Sequence, residues 1–192
     1  MVDLKSIFPS DFFTTLEKSS EDTDKHVYMI DNDFEGFKID DYTCSAYQKK
    51  IHATAALKGG DACFERNDMI YIIEFKNRYI TTKVMFNILE KMYGSNVVLM
   101  DELNFSINEI RNKVNFVTVY TLNESDKLNE KYACYLGISK LRTSIASRGT
   151  RKIKNIDTEA YGLKKLERNI YHEVITIPVQ YFQRYLKEEN II

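Results

Sequence analysis

The pattern of apolar and polar positions is most telling between residues 61 and 77, DACFERNDMIYIIEFKN. Residues 61–65 form one short run, residues 66–68 a polar break, and residues 69–76 a second run that opens Met69-Ile70-Tyr71-Ile72-Ile73. The pattern predicts two strands joined by a tight turn, the second lying centrally in a sheet. Side chains alternate along a strand, so Glu74 and Lys76 project from one face and Phe75 from the other, into a core. A carboxylate and an ammonium on one face of an apolar strand are costly to desolvate unless they pair or act chemically.

The remaining pattern is read around this hairpin. Ser10 is placed to cap a helix carrying Phe12, Phe13 and Leu16. Residues 27–30 and 34–39 are strand-like, and the Asx-rich break at Asp31, Asn32 and Asp33 predicts a hairpin between them, without the spacing of a calcium loop. Tyr42, Ala46, Tyr47 and Ile51 fit a helical face loosely within residues 40–57. Lys49, Lys50 and Lys58 lie close in sequence to Asp61, and Gly59-Gly60 allow a sharp entry to it. Val84, Met85, Ile88, Leu89 and Met92 predict a helix over 81–93, packed on the sheet face of Tyr71, Ile73 and Phe75. Residues 96–100 continue that helix or form a short buried piece.

A second helix over 106–113 and a β-branched strand over 115–122 follow. Further on, the chain predicts a helix over 125–141, a basic loop over 142–155, a short helix over 161–169 and a strand over 173–177. Pro178 then opens a helix over 179–187. The fold class is α/β (α+β), a mixed central sheet flanked by helices. A chain of 192 residues fits one domain, with a core over about 10–122 and an extension over about 125–192.

Composition narrows the function classes. The apolar share of 44% and charged share of 29% are those of an ordinary globular protein. The net charge of −1 gives no global case for a polyanionic partner, but charge is unevenly spread: residues 17–41 are acidic, and Lys140, Arg142, Arg148, Arg151, Lys152 and Lys154 form a basic stretch. Cys44, Cys63 and Cys134 are far apart and form no CxxC pair, which argues against a zinc knuckle. Cys44 and Cys63 are expected to be reduced packing residues. The first residues carry Asp3 and lack the apolar stretch of a signal peptide, and no run approaches the ~20 apolar residues of a membrane span. These features predict a cytoplasmic protein with no membrane partner. GxSxG, Walker, dinucleotide and HExxH patterns are missing.

The hairpin supplies the candidate chemistry. When it closes, Asp61 comes close to Glu74, and two carboxylates offer hard oxygens to Mg²⁺ or Mn²⁺. Such an ion can hold a phosphate and acidify water, while Lys76 beside it stabilises developing negative charge. The spacing Asp61-x12-Glu74-x-Lys76 resembles the core motif of the PD-(D/E)xK nuclease superfamily, with Gly60 standing where that family has a proline. The resemblance implies an αβββαβ core, with Asp61 and Glu74 as metal ligands and Lys76 as the catalytic lysine. It also implies an acidic residue on a preceding helix, for which Glu17 and Glu21 are candidates, Glu17 being taken as the third ligand. Lys83 is placed to face the site, and Arg142, Arg148, Arg151 and Lys152 to hold phosphates without reading sequence. His52 reads as a surface or capping residue.

The expected function is therefore a Mg²⁺-dependent nuclease acting on DNA phosphodiesters, of restriction, repair or phage-defence type; a homodimer is left open. The alternative is an inactive module on the same fold that binds a protein or nucleic acid. An ion pair at a fraying strand end, a solvated acidic helix and an ordinary exposed loop are the plain readings of the same residues.

Overall fold

The computed structural model describes residues 2–78, 80–121 and 163–192. Eight strands lie among them: β1 (Phe13–Thr15), β2 (Glu21–Asp22), β3 (Val27–Tyr28), β4 (Glu35–Phe37), β5 (Ala62–Arg66), β6 (Met69–Lys76), β7 (Val114–Tyr120) and β8 (Glu173–Pro178). Six form a mixed sheet in the order β1-β4-β5-β6-β7-β8, while β2 and β3 pair separately. The first four strands of that order are mutually antiparallel, and β6, β7 and β8 run parallel. The architecture is α+β, a mixed central sheet flanked by helices.

The β5–β6 hairpin closes on Asn67 and Asp68, both at positive φ (53° and 61°). Two central residues in the left-handed region match the strand twist, and Asn and Asp tolerate it. Arg66, expected in the turn, instead ends β5, paired with Met69. The apolar run of β6 explains its central place, since both faces of it are covered. Cys63, Ile70, Ile72 and Phe116 pack with Ile88, Met92, Val98 and Leu99 on one side. Tyr71, Ile73 and Phe75 pack with Phe182, Tyr185 and Leu186 on the other. Each such aliphatic or aromatic side chain contributes about 1.5–3 kcal/mol by leaving water.

Helices α1 (Leu4–Ile7) and α2 (Leu16–Ser19) are single turns. The helix expected after Ser10 does not form: residues Ser10–Phe12 make a 3-10 turn, and Phe13–Thr15 become β1 because they find a partner in β4. The expected hairpin over 27–39 is also replaced. Val27–Tyr28 pairs back onto Glu21–Asp22, whereas Glu35–Phe37 joins the main sheet between β1 and β5. Helix α3 (Ile39–Tyr42) continues through a π-helical segment (Thr43–Tyr47) into α4 (Gln48–Lys50). Cys63 is buried as expected, but Cys44 is exposed, because it faces outward from this helix.

Thr81 caps α5 (Thr82–Glu102), its hydroxyl accepting from the Val84 amide at 3.3 Å. The helix runs well past the predicted 81–93 and absorbs residues 96–100. Ser106 and Glu109 cap α6 (Ile107–Lys113) reciprocally, as the S-x-x-E spacing directs. α5 does not cover Tyr71, Ile73 and Phe75. It packs on the opposite face, that of Ile70 and Ile72, and α7 (Val179–Glu188) takes the face expected for it. The apolar stripe of α5 is compatible with either face, and connectivity decides. The predicted helix over 125–141 and basic loop over 142–155 lie outside the described residues. Of the expected 161–169 helix, Leu163–Leu166 is a 3-10 turn.

Candidate functional site

Because α5 lies on the even-numbered face of β6, it covers Glu74. Register sets the rest. Ala62 pairs with Ile73, so Asp61 stands across from Glu74 on the same face. The Asp61 side chain is fixed at its strand end: its Oδ2 accepts a hydrogen bond from the Phe75 amide at 2.7 Å. On the far side Glu74 is aligned with Thr118 of β7, and Thr118 with Thr176 of β8. Glu74, Thr118 and Thr176 are all completely buried.

The approach to Asp61 is tightly clamped. A Cβ on Gly94 of α5 would lie 2.1 Å from the Lys58 carbonyl oxygen, so only glycine lets the helix come this close. The Gly60 amide donates to Ser95 Oγ at 3.0 Å, and the Gly59 amide to Asp40 Oδ1 at 2.7 Å.

The charge centre of the site is Lys91, on the buried face of α5. Its Nζ lies 2.7 Å from Asp61 Oδ1, 3.1 Å from Glu74 Oε2 and 3.6 Å from Asp40 Oδ2. Lys76 Nζ pairs with the other Glu74 oxygen. Both Glu74 oxygens are sealed from solvent and held by charge, without a well-angled hydrogen bond. Burial, reinforced by the Asp61 charge, pushes the Glu74 carboxyl up to about 7 against the pull of Lys91 and Lys76. Burial alone would lower Lys91, but Glu74, Asp61 and Asp40 outweigh it and hold the ammonium above its ordinary value.

The site opens into a cavity of about 550 Å³ walled by Asp61, Lys76, Asn77, Arg78, Lys83 and the acidic β2 segment with Glu21, Asp22 and Asp24. Asn77 Nδ2 donates to Asp22 at 2.8 Å, and this bond first, then Lys25, holds the Asp22 carboxyl below its ordinary value. Glu74 is not on the cavity wall; Lys76 stands between it and the opening.

The structure thus brings Asp61, Glu74 and Lys76 together and places Lys83 at the mouth. Glu17 does not line the cavity, and it is not on a common helix with Glu21: Glu17 lies in α2 and Glu21 in β2. Lys50 pairs with Glu102 and Lys58 with Glu90, which takes both away from the site. Arg142, Arg148, Arg151 and Lys152 lie outside the described residues. Lys91, Asp40 and Asp22 were not singled out by the sequence. For Lys91 a signal existed: it falls in register with Ile88, Met92, Ser95, Val98 and Leu99, the buried stripe of α5.

Among the described residues no group of three or more His, Cys, Asp or Glu is placed to hold a metal. The donor set nevertheless suits a hard divalent ion in one respect. Asp61 and Glu74 converge on a single positive centre, now the Lys91 ammonium, and Mg²⁺ commonly takes one or two carboxylates and keeps water in its other positions. Comparison with known proteins gives no matching family model, no similar curated protein and no similar solved structure.

Proposed function

We propose that the protein is a divalent-metal-dependent nuclease that hydrolyses phosphodiester bonds, with DNA as the first substrate to test. The observation that carries this reading is the convergence of Asp61 and Glu74 on one cation, with Lys76 alongside and a cavity beyond. The resemblance of Asp61-x12-Glu74-x-Lys76 to the PD-(D/E)xK pattern supports it. In this reading Asp61 and Glu74 would hold Mg²⁺ or Mn²⁺. A divalent ion in that seat supplies charge for a phosphate and lowers the pKa of water. Lys76, at the cavity wall, steadies negative charge building on the phosphorus oxygens. Arg78 and Lys83 at the mouth attract the polyanion, and Asp61 is kept in orientation by the Phe75 amide. The test incubates DNA and RNA with Mg²⁺ or Mn²⁺ and the wild-type protein, Lys76→Ala or Glu74→Ala. Cleavage by the wild type, reduced at least about a hundredfold in both variants, is expected; equal cleavage by all three proteins removes the case for this site.

One observation favours a second reading, a non-catalytic module that binds a partner. Lys91 and Lys76 already neutralise the carboxylates, and Glu74 is shut away from the cavity. No heat of metal binding in calorimetry, together with capture of a defined protein or nucleic-acid partner, would select it.

A further inference from the structure

We propose that Lys91 is a built-in placeholder for the metal ion: its ammonium holds Asp61 and Glu74 together in the metal-free protein and is displaced when a divalent cation enters. This rests on the nuclease reading and adds how its metal seat is kept assembled and guarded.

The argument begins with Glu74. It is completely buried, in line with Thr118 and Thr176, and a charge there without a counter-ion would not be tolerated. Asp61 adds a second negative charge on the same face. Lys91 Nζ reaches Asp61 at 2.7 Å and Glu74 at 3.1 Å, so one ammonium answers both carboxylates. Its backbone is fixed for that purpose. Tyr171 donates to the carbonyl oxygen of the next residue, Met92, at 2.7 Å, and Gly94 and Ser95 clamp the helix against the segment leading to Asp61.

A point bonded to both carboxylates cannot hold two cations at once. Coulomb repulsion between an ammonium and a divalent ion at such range is severe in a low dielectric. Lys91 has somewhere to go: its third carboxylate, Asp40 Oδ2, lies 3.6 Å away on the side of α3. Movement toward Asp40 would free the seat while keeping the ammonium paired. Lys91 is thus a positioning residue and a competitor, and it sets the concentration of metal at which the site loads.

The experiment compares Mn²⁺ binding by calorimetry, and the Mn²⁺-induced rise in Tm, for wild type, Lys91→Met and the double variant Lys91→Met/Glu74→Gln. Methionine keeps the stem of the side chain and removes its charge. The expected result is Mn²⁺ binding about tenfold or more tighter in Lys91→Met, a larger Tm rise than in wild type, and loss of both in the double variant. Wild-type binding with equal or weaker binding by Lys91→Met overturns the placeholder role and leaves the metal reading standing. Binding by neither protein overturns both. If Lys91→Met is unfolded without metal, a cooperative transition restored by Mn²⁺ and not by equal ionic strength of KCl supports the role; failure to restore it overturns the role.

Discussion

The phenol of Tyr171 donates a buried hydrogen bond to the carbonyl oxygen of Met92, 2.7 Å away, one residue beyond Lys91. It ties the chain just before β8 to the middle of α5 and fixes the height at which Lys91 stands over the sheet. Tyr171→Phe is expected to lower unfolding stability by about 1 kcal/mol, the net value of one such bond. Chemical denaturation measures it; no loss would mean that the helix is held without this contact.

Stability should also depend on pH through Glu74. The folded protein keeps the Glu74 proton up to about pH 7, whereas the unfolded chain releases it near the ordinary 4.5. The native state therefore binds the extra proton between these values, and stability falls as pH rises through that window and levels off above it. The effect is on the order of 3 kcal/mol. Glu65, also raised first by its burial, acts in the same sense, so the informative quantity is the difference in slope between wild type and Glu74→Gln. Denaturation curves from pH 5 to 8 in the presence of a chelator should be steeper for the wild type; parallel curves would contradict the burial of a titrating Glu74.

Gly94→Ala puts a methyl group 2.1 Å from the Lys58 carbonyl oxygen. The neighbour is backbone and cannot step aside cheaply, so α5 must lift. A loss of about 1–3 kcal/mol is expected, read as a drop in Tm. A variant as stable as wild type would mean that α5 does not rest closely on the Lys58 carbonyl oxygen.

The Thr118 and Thr176 hydroxyls are completely buried and make no hydrogen bond to the described residues. Replacing an unpaired hydroxyl by a methyl of the same shape removes a desolvation penalty. Thr118→Val and Thr176→Val are therefore expected to leave stability unchanged or raise it by up to about 1 kcal/mol, with β-propensity preserved. A loss above that size would reveal a partner for the hydroxyl.

Lys83 is exposed at the mouth of the cavity. If the cavity receives a nucleic-acid backbone, Lys83→Ala weakens binding similarly for all sequences and lowers the slope of log K against log salt by about one. Titration of labelled DNA at several salt concentrations reads this; an unchanged slope places the polyanion elsewhere.

How much of this was legible from the residues depends on whether local pattern or tertiary pairing decides each element. The hairpin around Asn67-Asp68, α6 with its Ser106–Glu109 box and the Glu173–Pro178 strand with its following helix are dictated locally, and the pattern places them close to their observed bounds. Between Ser10 and Ile39 the helix and the hairpin that the pattern predicts do not form, because the pieces there are only two to four residues long. Phe13–Thr15 is a strand only because β4 lies beside it. The stripe of α5 identified a buried face but not which side of the sheet would receive it, and that side determines which lysine meets Glu74. For Asp61, Glu74 and Lys76, strand periodicity fixes a common face, so their grouping follows from the sequence. Lys91 is not marked by the pattern, because a lysine in a helix is usually solvated.

Thr121 bonds to the end of β6 through two groups, its amide to the Lys76 carbonyl at 3.0 Å and its hydroxyl to Asn77 Oδ1 at 3.1 Å. β7 and β8 run parallel to β6, and Lys76, Tyr120 and Pro178 are register partners at the same rim of the sheet. The three strand ends stand level in one row, and a slip of any one of them by a single residue would turn Glu74, Thr118 or Thr176 to the opposite face of the sheet.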